Sequence, residues 1–192
     1  QVEMNILKSI KINLDKGELD WCENHAKKIV EHYGGNGSNG SGTYNHNKVS
    51  SNMVGVKCEV ATVKWLKNNG ISKEDIAENF IHFTNKKLKG DITLYEEKDI
   101  LEVKGLRPYQ WNKFKRMIPP KQLNICVRND AILVWGIATG DKKNREVKLM
   151  GWNYAYEVKD YGRFIRTICD NIWLEEDSLM RDMNDLIEVI ND

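Results

Sequence analysis

The chain has 192 residues, 41% of them hydrophobic, enough for one sizeable core and too few for a second large domain. With 29 basic and 28 acidic residues the net charge is +1, so there is no global basic excess and any contact with phosphates must be local. The longest apolar runs, such as Ala131 to Ala138, fall far short of the roughly 20 residues that cross a bilayer, and the amino end, with Glu3 and Asn5, lacks a basic-then-apolar leader; a soluble, intracellular protein is expected.

From Glu18 to Tyr33 the apolar residues Cys22, Ala26, Ile29, Val30 and Tyr33 follow helical spacing, and Gly34 stops the helix. The glycine- and serine-rich stretch from Gly34 to Gly42 has nothing to bury and reads as a loop or spacer. A second helix runs from Asn52 to Asn68, with Val56, Val60, Val63 and Leu66 on one stripe. Glu59 lies three residues after Val56 and four before Val63, either on the core-facing stripe with a partner or at its edge reaching water.

A short strand is expected near Phe80 to Phe83. Two alternating runs then flank the polar group Glu96 to Asp99, an antiparallel hairpin with a four-residue turn. That turn sets Asp91 opposite Lys104 and Thr93 opposite Glu102. Ile92, Leu94, Leu101 and Val103 share one face, and Asp91, Thr93, Glu102 and Lys104 the other.

Arg107-Pro108 opens a short helix from Tyr109 to Met117, which Pro119-Pro120 interrupts. The continuous apolar run from Ala131 to Ala138 predicts a central strand buried on both faces, and a further strand is expected near Val147 to Trp152. A helix from about Ser178 carries the stripe Leu179, Met183, Leu186, Ile187 and Ile190. Residues 1–47 are thus read as a helix and loop packed on a core of 48–175, and 176–192 as a terminal amphipathic helix.

Two acids on adjacent strands, Asp91 and Glu102, are the donor type that holds a hard divalent cation, and Lys104 points to the same side to orient a water or a phosphate. The backbone carbonyl of Val103 supplies a further oxygen, and Glu59 is placed to complete the set. Acid-x-Lys recurs at Glu96, Asp141, Glu146 and Glu157, but only Glu102 has an acid on a hairpin partner in phase. The plainer alternative is a half-exposed hairpin with a polar outer face.

Between Lys104 and Arg128 the chain gathers Arg107, Lys113, Lys115, Arg116 and Lys121 without an acid among them, either a phosphate contact or a solvated face. Tyr109 and Trp111 either stack on a base or pack in the core. The four histidines show no metal-ligand spacing, and Cys22, Cys58, Cys126 and Cys169, scattered without a Cys-x-x-Cys pair, argue against structural zinc and a disulfide framework.

Gly90-Asp91, a ten-residue spacer and Glu102-Val103-Lys104 inside an apolar strand resemble the bipartite signature of the PD-(D/E)xK nucleases, with Gly90 where the family's proline stands. The resemblance spans about half the chain. It implies an α/β (α+β), restriction-endonuclease-like core with a central mixed sheet flanked by helices, in the order α-β-β-β-α-β with an extra strand and terminal helix. It further implies catalytic Glu59, Asp91, Glu102 and Lys104, magnesium (or manganese in its place) on Asp91, Glu102, Glu59 and the Val103 carbonyl, and DNA rather than RNA as substrate. The expected activity is endonucleolytic; an exonuclease of the same fold, or a non-catalytic binding or assembly module, is the alternative. Arg107, Tyr109, Gln110, Lys113, Lys115 and Arg116 are the expected nucleic-acid contacts, and the last helix a surface for homodimer formation.

Overall fold

A computed structural model describes residues 9–33, 48–78, 89–167 and 169–191 of the chain. The expected strand at Phe80 to Phe83 and the glycine-rich stretch at Gly34 to Gly42 lie outside these residues.

The fold is α+β, with a mixed sheet flanked by helices. Its six strands are β1 (Ile10–Asn13), β2 (Ile76–Glu78), β3 (Ile92–Leu94), β4 (Asp99–Leu106), β6 (Ile132–Ile137) and β7 (Glu146–Tyr154), in spatial order β1-β7-β6-β4-β3-β2. Every pairing is antiparallel except β4 with β6. A parallel neighbour needs a crossover, and here α3 (Pro108–Phe114), the two-residue strand β5 (Met117–Ile118) and α4 (Pro120–Arg128) provide it. Helix α5 (Ala155–Tyr161) leads to β8 (Arg163–Arg166) and β9 (Asp170–Trp173); β9 pairs with both β8 and β5 in a second, three-stranded sheet.

Two hydrophobic clusters occupy the two faces of the large sheet. Ile92, Leu94, Leu101 and Val103 join the cluster formed with α1 (Lys16–Tyr33), α2 (Val49–Asn68) and α6 (Met183–Asn191). Ile100, Leu133 and Trp135 join the other, with Leu123 and Cys126 of α4 and Val158 of α5. Helix α1 begins with a reciprocal cap: Glu18 N–H donates to Asp15 Oδ1 and Asp15 N–H to Glu18 Oε1, both at 2.8 Å.

Helix α2 is set against β4 and β6 by a pair of glycines. Gly105 and Gly136 face each other across the two strands, and a Cβ on either would stand 3.0 or 2.9 Å from the Cys58 sulfur. Without Cβ atoms they form a flat bay into which Cys58 packs, which fixes the height and rotation of α2 and therefore of Glu59, the next residue. Immediately before Cys58, the buried Lys57 donates to the carbonyl oxygens of Thr139, Asp141 and Asn144 at 2.8–3.0 Å, closing the β6–β7 turn over the same helix.

The hairpin forms as expected, but its turn is Tyr95 to Lys98 rather than Glu96 to Asp99. Tyr95, Glu96 and Glu97 take positive φ of 50°, 57° and 71°, and Ile92 pairs with Leu101, a register two residues from the expected one. A shift of two preserves the faces. Asp91 therefore comes level with Glu102 instead of Lys104.

Other boundaries also move. The helix expected at Tyr109 to Met117 ends at Phe114, and the last helix begins at Met183 after a 3-10 turn at Asp177–Leu179. Met183, Leu186 and Ile190 of α6 are fully buried within the chain's own core, so the stripe expected to mediate a homodimer is already covered. Trp135 and Trp152 are buried in the core, while Trp173 is partly open beneath the Arg163 guanidinium.

Candidate active site

Asp91 stands where β3 has not yet begun. The ladder between β3 and β4 runs from Leu94–Asp99 to Ile92–Leu101, leaving the Val103 N–H without a backbone partner on β3; Asp91 Oδ2 accepts it at 2.8 Å. Gly90 permits this approach. A Cβ there would lie 2.7 Å from Ile100 Cγ2 and 3.0 Å from the Leu101 carbonyl oxygen, so the chain crosses β4 too closely for any side chain. The same contacts leave no space for a proline ring.

On β4, Glu102 and Lys104 project to the face that holds α4. Lys104 Nζ donates to Glu102 Oε1 at 3.2 Å and to Gln122 Oε1 at 2.6 Å. The two side chains are 22% and 20% exposed, open enough for water or a phosphate oxygen to reach and enclosed enough to strengthen each charge interaction. Burial works against the Lys104 ammonium, but Glu102 and Asp91 overcome it and raise its pKa above the usual lysine range.

Burial, then the Glu102 charge, pushes the Asp91 carboxyl up to about 7, against the opposing pull of Lys104 and the Val103 N–H. Glu59 is raised well above the ordinary carboxyl range, first by burial and then by Asp91 and Glu102. The mutual influence of Glu59, Asp91, Glu102 and Lys104 places all four within one electrostatic neighbourhood. The helix residue, intermediate in exposure, thus feels the charges of the hairpin. Crowded carboxyls that resist ionisation mark a site at which a proton or a cation is wanted.

Among the described residues no three Asp, Glu, His or Cys side chains stand ready to hold a metal ion as they are placed. Glu102 is turned to Lys104, and one oxygen of Asp91 to a backbone N–H. The competing acid-x-Lys at Glu146 and Lys148 lies on β7 opposite Asn13 and Lys11, with no acid across the pairing.

The basic segment divides. Tyr109 is 65% exposed and Lys113 is exposed on α3, beside Arg107, whose guanidinium reaches Ser50 Oγ at 3.3 Å. Gln110 caps the helix by accepting the Arg107 N–H at 2.9 Å, and Lys115 is paired with Asp177 at 3.0 Å. Arg116 does not belong to this surface. Fully buried, it donates to the Leu174 and Glu175 carbonyls and to Asp177 Oδ1, and lies over the Trp111 ring, so it ties β5 to the chain after β9. Trp111 is likewise buried.

Gln122 was not anticipated. The paired prolines at 119 and 120 read as an interruption in the sequence, whereas Pro120 is the first residue of α4. The spacing of Leu123, Cys126 and Val127 carried the helical signal.

Comparison with protein-family models, with curated proteins and with solved structures finds no match to this chain.

Proposed function

We propose that the chain is a divalent-metal-dependent nuclease that hydrolyses phosphodiester bonds in DNA, with a restriction-endonuclease-like core and Glu59, Asp91, Glu102 and Lys104 as its catalytic set. The observation that carries the reading is the seating of Asp91 on the Val103 N–H, between Glu102 and Lys104 that bond to each other on β4, in the order the PD-(D/E)xK signature requires. The element order from α2 through β2, β3, β4 and the crossover helices to β6 is compatible with that core.

The donor set suits magnesium, or manganese, in kind: it offers only hard oxygen ligands, and its carboxyls are destabilised as anions until a cation joins them. Asp91 through its second oxygen, Glu102, the Val103 carbonyl and Glu59 would hold the ion. When bound, such an ion neutralises phosphate charge and acidifies an attached water.

The chain's own groups divide the remaining work. Lys104 keeps its positive charge at neutral pH and can hold a non-bridging phosphate oxygen or orient the attacking water. Glu59, whose carboxyl is raised well above the usual range by burial and by the Asp91 and Glu102 charges, would carry its own charge beside the ion once that crowding is neutralised. Arg107, Tyr109 and Lys113, with the free amide of Gln110, offer a backbone and base contact beside the cluster, and endonucleolytic cutting is the activity expected.

Linear, circular and single-stranded DNA incubated with the protein, with magnesium or with chelator, tests the reading. Cleavage is expected with the ion alone, reduced at least ~10²-fold by Glu102→Ala and by Lys104→Ala. Cleavage unchanged in both variants would place the activity elsewhere, and degradation of linear but not circular DNA would make the enzyme an exonuclease.

A further inference from the structure

We infer that Gln122 is a positioning residue for Lys104, holding the ammonium group in place independently of Glu102. The purpose of that hold rests on the nuclease reading; the geometry does not.

The Lys104 ammonium has two partners of different kinds. Glu102 lies on the same strand, 3.2 Å away, and Gln122 on α4, 2.6 Å away. The shorter bond goes to the neutral group. An ammonium has three N–H donors, so these two leave one for a phosphate oxygen or a water.

The two partners have different prospects. Glu102 is a candidate ligand, and a carboxylate that turns to a cation gives up its amine. Gln122 has no such competing use. Its backbone is anchored by Leu123 and Cys126, both buried, and by the Leu123 N–H bonded to the Pro119 carbonyl at 3.0 Å. A four-carbon stem released by Glu102 alone would regain its rotamer freedom; held by Gln122, it stays beside the site.

The residue type follows from the charges around it. A carboxylate at 122 would add a further anion to a pocket where Asp91 and Glu59 already resist ionisation, while an amide oxygen accepts from the ammonium without adding charge. A methionine of equal length would fill the space and accept no hydrogen bond of comparable strength.

The side-chain nitrogen resonance of Lys104, observed by NMR in 15N-lysine protein, tests the hold without a metal or a substrate. Glu102→Ala imitates the loss of the carboxylate. In that variant the slowly exchanging ammonium signal is expected to persist, and in Glu102→Ala with Gln122→Met to vanish. Gln122→Glu in the Glu102→Ala background should restore it, which separates a lost acceptor from a disturbed fold. Loss of the signal in Glu102→Ala alone, or its persistence beside Gln122→Met, overturns the inference.

In single-turnover cleavage, Gln122→Met should lower the rate about tenfold with DNA affinity within about twofold, and add no further loss in a Lys104→Met background. A purely structural role would lower both proteins equally, and that result counts against positioning. If the resonances behave as expected while the unaltered protein cuts no DNA, the nuclease reading falls and the hold on Lys104 stands.

Discussion

The Asp91 carboxylate accepts the backbone N–H of Val103 at 2.8 Å, and so stands level with the strand segment that carries Glu102 and Lys104. One oxygen completes the ladder where β3 stops. Asp91→Asn keeps an acceptor for the Val103 N–H and removes the charge. The metal-free variant is expected to be more stable than the parent at alkaline pH, by about 1–3 kcal/mol in denaturant melts, because a carboxyl that resists ionisation is gone. Stabilisation by magnesium should disappear, and cleavage should fall at least ~10²-fold. Lower stability than the parent at alkaline pH would contradict the assigned strain.

The same groups set a pH dependence. Asp91 titrates near 7 in the folded protein, raised by burial and then by Glu102, and Glu59 is raised in the same direction by burial and then by Asp91. Unfolded, both release their protons near 4. Through Asp91 the folded chain therefore binds more protons between those values, so its contribution to stability is full below about 4 and is lost as pH rises through about 7, and Glu59 acts in the same direction. Thermal melts across that range should show a decline that Asp91→Asn flattens. Magnesium should reverse the trend, its stabilising effect growing from about pH 6 to about pH 8 as the ligands deprotonate. Equal slopes for the two proteins would remove Asp91 as the titrating group.

Gly90→Ala tests the crossing that delivers Asp91. The added methyl meets Ile100 and the Leu101 carbonyl below contact distance, and the backbone partner cannot yield. A loss of about 1–3 kcal/mol is expected, with cleavage reduced more than stability explains, since Asp91 is displaced from Val103. A variant of normal stability and activity would show that the crossing tolerates a side chain.

Arg116 and Lys113 should separate by readout. Arg116→Ala strips the Leu174 and Glu175 carbonyls of a buried donor, and a loss of about 3–5 kcal/mol is expected in chemical denaturation. Lys113→Ala, on an exposed helix face, should leave stability within about 0.5 kcal/mol and weaken DNA binding uniformly across sequences, with a shallower salt dependence. The reverse pattern would relocate the interface.

Much of the framework could be read from the chain because local pattern and tertiary burial agree there. The stripe of α2, the alternation of the hairpin and the apolar run of β6 each report the face they bury. The hairpin register was missed because the turn begins at Tyr95, an aromatic residue in a positive-φ position that composition does not advertise. Because the register differs by an even number of residues, the faces are unchanged and Asp91 still meets β4 beside Glu102. Arg116 was misplaced for the opposite reason: nothing local distinguishes a buried arginine from its exposed neighbours when its partners, Leu174, Glu175 and Asp177, lie about sixty residues away. Gln122 and the small sheet of β5, β8 and β9 depend on the same kind of distant contact.

Crystals of the protein soaked in manganese and measured at a wavelength where that ion scatters anomalously test the central claim most directly. The account predicts one strong peak about 2.0–2.5 Å from carboxylate oxygens of both Asp91 and Glu102, with Lys104 Nζ moved off Glu102. No peak at that position, with ordered Asp91 and Glu102 side chains still bonded to Val103 and Lys104, would contradict it.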